Sequence, residues 1–174
     1  WSWAEADIPG TEIYALALSG NADNAELAPA YAQLLSMQAA PGGFIGWWTS
    51  SGTLEDAAST SFSALGLNAK GALPAANATL AKNYLLSLQN PDGTFNLTGT
   101  VENNSLSSLA PNKIAATAIA LLALQSLGEN ASNAQAALAL SLLKNETDAC
   151  FGNRSLAYSA AASALAFNAF GENA

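Results

Sequence analysis

Leu86-SLQNPDGTF-Asn96 is the stretch from which the rest of the chain can be read. A leucine-rich helix runs into Gln89, and Pro91-Asp92-Gly93 stops it. Proline presets φ for a turn, and glycine accepts the positive φ that follows. An aromatic residue, Phe95, comes next. Earlier in the chain, Leu35-SMQAAPGGFIGW-Trp48 has the same order of helix end, Gln, Pro-Gly turn and aromatic. A third copy, Lys144-NETDACFGN-Arg154, is degraded but keeps Phe151-Gly152.

Working outward from these turns, two kinds of helix alternate. Four alanine-rich segments are nearly apolar all round: Gly10-TEIYALALSG-Asn21, Leu54-EDAASTSFSALGLN-Ala69, Lys113-IAATAIALLALQSLGE-Asn130 and Leu156-AYSAAASALAFNAFGE-Asn173. A helix of that kind is covered on both sides. Three others, Glu26-LAPAYAQLLSM-Gln38, Leu73-PAANATLAKNYLLSL-Gln89 and Ser132-NAQAALALSLL-Lys144, carry their polar residues on one side, as a helix with one wet face does. Leu34, Leu35 and Met37 of the first match Leu85, Leu86 and Leu88 of the second, and Leu140, Leu142 and Leu143 of the third keep that spacing. Gly20, Gly66, Gly128 and Gly171 are the expected stops of the alanine-rich class, at a spacing that suits a two-helix repeat. The expected fold is all-α: one domain over residues 1–174, with inner and outer helices alternating along the chain.

The pattern Leu-x-x-Gln-x-x-x-Gly-x-Phe/Trp followed by an Ala/Thr-rich helix resembles the α/α-toroid superfamily. That group holds the terpene and squalene cyclases, protein prenyltransferase β subunits, complement-type thioester domains and the transcobalamin group. The resemblance covers nearly the whole chain and implies a toroid-like repeat. The seven helices legible here are fewer than a closed toroid has, so a partial ring or open arc is expected. The family's chemistries do not carry over residue by residue. Prenyltransferases use a zinc site of Asp, Cys and His, whereas this chain has no histidine and one cysteine. The protonating Asp-x-Asp-Asp motif of class II cyclases has no counterpart: the nearest acidic pair, Glu55-Asp56, stands at a helix start and is expected to serve the cap and dipole. Thioester domains need Cys-Gly-Glu-Gln, and the sequence here is Cys150-Phe151-Gly152-Asn153. Ser59, Ser61 and Ser63 lack the histidine that commonly activates a serine, and are expected to bond back to helix carbonyls. No catalytic residue, metal site or cofactor is therefore expected.

Composition narrows the partners. Half of the 174 residues are apolar, only 10% are charged, and the net charge is −8. The five basic residues, Lys70, Lys82, Lys113, Lys144 and Arg154, stand singly, so neither nucleic acid nor an anionic membrane surface is an expected partner. The longest apolar run, Ile114 to Leu124, is about half of what spans a bilayer and reads as a buried helix; no transmembrane segment is expected. The chain opens on Trp1-Ser2-Trp3 without an initiator Met and reads as processed or partial. Cys150 allows no internal disulfide; it reads as a small buried apolar group or the donor of an intermolecular disulfide.

Two sets of residues point to contacts outside the chain. Phe44, Trp47 and Trp48 beside the first turn, with Trp1 and Trp3, are candidate ligand or interface aromatics; the competing reading is that they plug the end of the helical layer. Six Asn-x-Ser/Thr triplets, at Asn77, Asn96, Asn103, Asn130, Asn145 and Asn153, are roughly twice what the composition gives by chance. They fall in expected loops or near the starts of outer helices, where Asn is also a turn and cap residue. N-linked glycans would imply secretion. The functional expectation is a non-catalytic extracellular or cell-surface glycoprotein with a structural or assembly role, such as a filament subunit self-associating through open helical ends. The alternative is a secreted binding module for a small apolar, corrinoid or carbohydrate ligand; a terpene-cyclase-like enzyme is a distant third.

Overall fold

The computed structural model describes residues 7–20, 25–49, 52–95, 110–150 and 157–171. It is mostly helical, as the sequence leads one to expect. The elements are α1 (Asp7–Leu18), a short 3-10 turn (Ala25–Leu27), α2 (Ala28–Ser36), β1 (Ile45–Thr49), β2 (Gly52–Glu55), α3 (Ala57–Ala69), α4 (Ala75–Ser87), α5 (Ala110–Ser126), α6 (Ala134–Cys150) and α7 (Ala157–Ala169). Each helix starts where local chemistry allows it. Pro111 lies in the first turn of α5, where a missing N–H is harmless. Asn133 caps α6 by accepting from the amides of Gln135 and Ala136 at 2.9 and 3.2 Å.

The alternation of two classes is what the packing shows. The alanine-rich helices α1, α3, α5 and α7 form one row, each packing chiefly on the next, while α1 and α7 do not pack on one another as neighbours. The outer helices lean on that row: α2 and α4 on α3, and α6 on α5 and α7. In the two central inner helices nearly every side chain is buried, from Ser59 to Leu67 in α3 and from Ile114 to Leu121 in α5. Small residues make this close packing possible. Gly66 lets α1 approach so that a Cβ there would stand 3.0 Å from the Gly10 carbonyl and from Ile13.

Three local features differ from the sequence reading. The glycine that ends α3 is Gly71, not Gly66. Gly71 has φ +64°, and the Gly71 and Ala72 amides donate back to Asn68 and Leu67 at 2.9 and 2.8 Å. This is the glycine-terminated helix end that Gly128 repeats after α5. The outer helix α6 runs on to Cys150, because no Gly or Pro interrupts Leu143 to Cys150; Asn145 is therefore helical rather than in a loop. The third is an antiparallel hairpin of β1 and β2, in which Trp47 pairs with Leu54, Trp48 with Thr53 and Thr49 with Gly52.

The core has two centres, one for each step of the repeat. One gathers Leu34, Phe44, Leu67 and Ala81. The other gathers Leu85, Phe95, Leu121, Leu124 and Leu143.

Candidate functional site

The two Gln turns are built alike, atom by atom. In the first, the Ala39 amide donates to the Gly43 carbonyl at 2.8 Å and the Gly42 amide to Ala39 at 2.9 Å. In the second, the Asn90 amide donates to Thr94 at 2.8 Å and the Gly93 amide to Asn90 at 2.9 Å. Each turn glycine has positive φ and rests on the backbone of the following outer helix, Gly42 on Leu80 of α4 and Gly93 on Leu138 of α6. Each aromatic amide donates to a threonine of the following inner helix: Phe44 to Thr60 at 2.9 Å and Phe95 to Thr117 at 3.1 Å.

The glutamines carry the turns to the next repeat. Gln38 Nε2 donates to the Gly42 carbonyl at 2.9 Å and to the Asn77 carbonyl of α4 at 3.0 Å, while Asn77 Nδ2 donates to Gln38 Oε1 at 2.7 Å. Gln89 Nε2 donates to Gly93 at 3.2 Å and to the Gln135 carbonyl of α6 at 2.8 Å, and Gln135 Nε2 returns a bond to Leu86 at 3.1 Å. The motif on which the resemblance rests is thus a brace between repeats.

Asp92 adds a titratable element to the second turn. Its Oδ1 accepts from the Thr94 hydroxyl at 2.6 Å and the Thr94 amide at 3.0 Å. Those two bonds, hydroxyl first, hold its carboxyl below the ordinary carboxylate range, with help from Lys113. A depressed acid pKa contributes stability that is present above the unfolded value and lost as pH falls through the folded one. The Thr94 amide is therefore expected to exchange faster with deuterium as pH falls below about 4, after correction for the intrinsic rate. Asp92→Asn should remove that pH dependence; a dependence that survives it would place the titrating group elsewhere.

Of the acidic pair, Asp56 serves the helix cap. Asp56 is buried and caps α3, its carboxylate accepting from the Ser59 amide at 2.7 Å and the Ser59 hydroxyl at 2.8 Å. Gly46 lies against it so closely that a Cβ there would stand 1.4 Å from Asp56 Oδ2. Glu55 ends β2, paired with Ile45, and its Cβ comes close to Gly43. Tyr84 closes the group from α4; burial first, then Glu55 and Asp56, push its phenol well above the ordinary tyrosine value. Of the three serines on α3, Ser59 bonds to Asp56 rather than to the helix backbone, and the Ser61 hydroxyl is buried with no hydrogen-bond partner.

The candidate aromatics part company. Phe44 is fully buried in the core beneath the first turn, in the position of the plug rather than of a ligand contact. Trp47 and Trp48 lie in β1, paired through their backbones with Leu54 and Thr53. Trp1 and Trp3 lie outside the described residues.

The sequons differ in the same way. Asn130 and Asn145 are exposed. The Asn130 carboxamide oxygen accepts from the Ser132 amide at 2.9 Å and from the Ser132 hydroxyl, a turn within the triplet itself. Asn77 is half-buried in α4, with its carboxamide nitrogen engaged by Gln38. Asn96, Asn103 and Asn153 lie outside the described residues.

Among the described residues, both ends of the inner row present exposed helix faces. On α1, Thr11, Glu12, Ala15 and Leu18 are exposed, and on α7, Ala161, Ala164, Leu165 and Asn168 are. Leu18 is 72% exposed and Leu165 58%, the highest values among the large apolar side chains described. The sequence leads one to expect open helical ends but not which residues line them, because alanine and leucine at helical spacing read the same whether covered or not.

Among the described residues, no three His, Cys, Asp or Glu side chains gather as a metal site, and no helix is long and apolar enough to cross a membrane. No family model, curated protein or solved structure matches the chain.

Proposed function

We propose that this chain is a structural, non-catalytic glycoprotein unit of an extracellular or cell-surface assembly, built as an open arc of α/α-toroid type. The observation that carries this reading is the pair of exposed helix faces, with Leu18 and Leu165 among their residues, at the ends of the inner row. Exposed alanine and leucine on a helix of the inner class are surface that a neighbour would bury. The few charges fit the same reading, since glycans would supply the polar surface that Lys and Glu do not. Asn130 and Asn145 are the acceptors favoured by exposure. Asn77 is set aside, because the nitrogen that would carry a sugar already bridges α4 to the first turn.

Electron microscopy of the native material is expected to show regular polymers, and a uniform field of monomers would overturn the reading. Digestion with an N-glycosidase is expected to increase gel mobility. Asn130→Gln and Asn145→Gln should each remove one step of that shift, and Asn77→Gln should remove none. Native protein whose mobility does not change on digestion would remove the argument for secretion.

A further inference from the structure

The steps between inner helices follow one register. It is counted back from the glycine that ends each helix: Gly20, Gly71, Gly128 and Gly171. In the α1–α3 step, α1 offers Gly10, Ile13 and Tyr14, which lie ten, seven and six residues before Gly20. These meet Phe62, Ser63 and Gly66 of α3, which lie nine, eight and five residues before Gly71. In the α3–α5 step, Asn68, three before Gly71, donates its carboxamide to the carbonyl of Ser126, two before Gly128, at 2.6 Å. Taken together, the α1–α3 and α3–α5 steps place a forward face at positions ten, seven, six and three, and a backward face at nine, eight, five and two.

The open ends of the row fit this register. The exposed residues of α7 are Ala161, Ala164, Leu165 and Asn168, at ten, seven, six and three before Gly171: a forward face. The exposed residues of α1 are Thr11, Glu12, Ala15 and Leu18, at nine, eight, five and two before Gly20: a backward face. They are the two halves of the joint that the chain makes internally. The outer layer carries an independent sign of the same vacancy. Ala81 and Ala139, next to the leucines on which the turn glycines rest, are fully buried, whereas the corresponding Ala30 of α2 is exposed.

We propose that α7 of one copy packs on α1 of a second copy in the register of the internal steps, joining copies head to tail. Asn168 then donates to the Leu18 carbonyl as Asn68 does to that of Ser126. The proposal rests on the assembly reading above and names its contact surface. A joint between two different faces leaves a fresh face at each end, so it propagates into a fibre or closes into a ring. Glu12 marks the difference from the internal joints. It stands where α3, α5 and α7 carry Ser63, Ala120 and Ser163, so a carboxylate at this place weakens the joint between copies relative to those within one.

Sedimentation velocity of the 174-residue chain over a concentration series tests this. The unaltered chain is expected to form a ladder of oligomers. Leu165→Lys blocks the forward face and Ala15→Lys the backward face, and both positions are exposed, so the fold is spared. Each variant alone should be monomeric, and their equimolar mixture should form dimers and stop there. Asn168→Ala should weaken association about fivefold, and Glu12→Ser should tighten it. A ladder that persists in either lysine variant, a variant that dimerises by itself, or a mixture that stays monomeric beneath a laddering parent would overturn the proposed joint while leaving assembly standing. A parent that is monomeric throughout would overturn the assembly reading, and the joint with it.

Discussion

Gly46→Ala is expected to destabilise the chain by about 3–5 kcal/mol, enough to threaten a domain whose total stability is of order 5–15 kcal/mol. The added Cβ would fall 1.4 Å from Asp56 Oδ2, so either the strand or the carboxylate must move. Overpacking alone costs about 1–3 kcal/mol. Moving the carboxylate also loses the cap of α3, worth about 1 kcal/mol, and strands a buried charge away from Ser59. A double-mutant cycle in urea separates the terms. Asp56→Ala alone should cost about 1–2 kcal/mol, and Gly46→Ala in that background should cost far less than in the parent. If the two costs simply add, the contact between Gly46 and Asp56 is not what makes glycine necessary.

Phe44→Ala and Phe95→Ala come next, each expected to cost about 3–5 kcal/mol. Both rings are fully buried, and they lie in different core clusters, one per repeat step. Their amides also fix the turn to the next inner helix through Thr60 and Thr117. The ring should dominate that pairing. Thr117→Val removes the acceptor for the Phe95 amide and keeps the shape, so it should cost only about 1–3 kcal/mol. Urea denaturation of the three variants gives the ranking directly, and a Thr117→Val cost equal to that of Phe95→Ala would place the stability in the hydrogen bond instead.

The same residues show what a sequence can disclose about this fold. All seven helices were legible, because alanine-rich and leucine-rich segments alternate and the Gln-Pro-Gly turns punctuate them. The hairpin is not legible in the same way. Its signal was local, Ile45, Trp47, Trp48 and Thr49 being aromatic or β-branched, but the helical frame on either side outweighed it. Gly66 reads as a helix stop in sequence because a glycine near a helix end and a glycine that admits a neighbouring helix look identical in one dimension. Phe44 illustrates the same limit. An aromatic beside a Pro-Gly turn reads as a ligand contact or as a plug, and the residues that make it core, Ile13, Leu34, Leu67 and Ala81, come from four separate helices. The end faces were the least legible, since their composition is that of every buried inner helix.

The side chains of the two turn glutamines, Gln38 and Gln89, both reach forward, to the outer helix that comes later in the chain. In a polypeptide that emerges N-terminus first, each turn glutamine is therefore made before the helix it binds. Each completed turn waits, with its glutamine set, for the 39 or 46 residues that bring the next outer helix to it. The two loops differ little in the entropy of closing them, so loop length favours neither brace over the other.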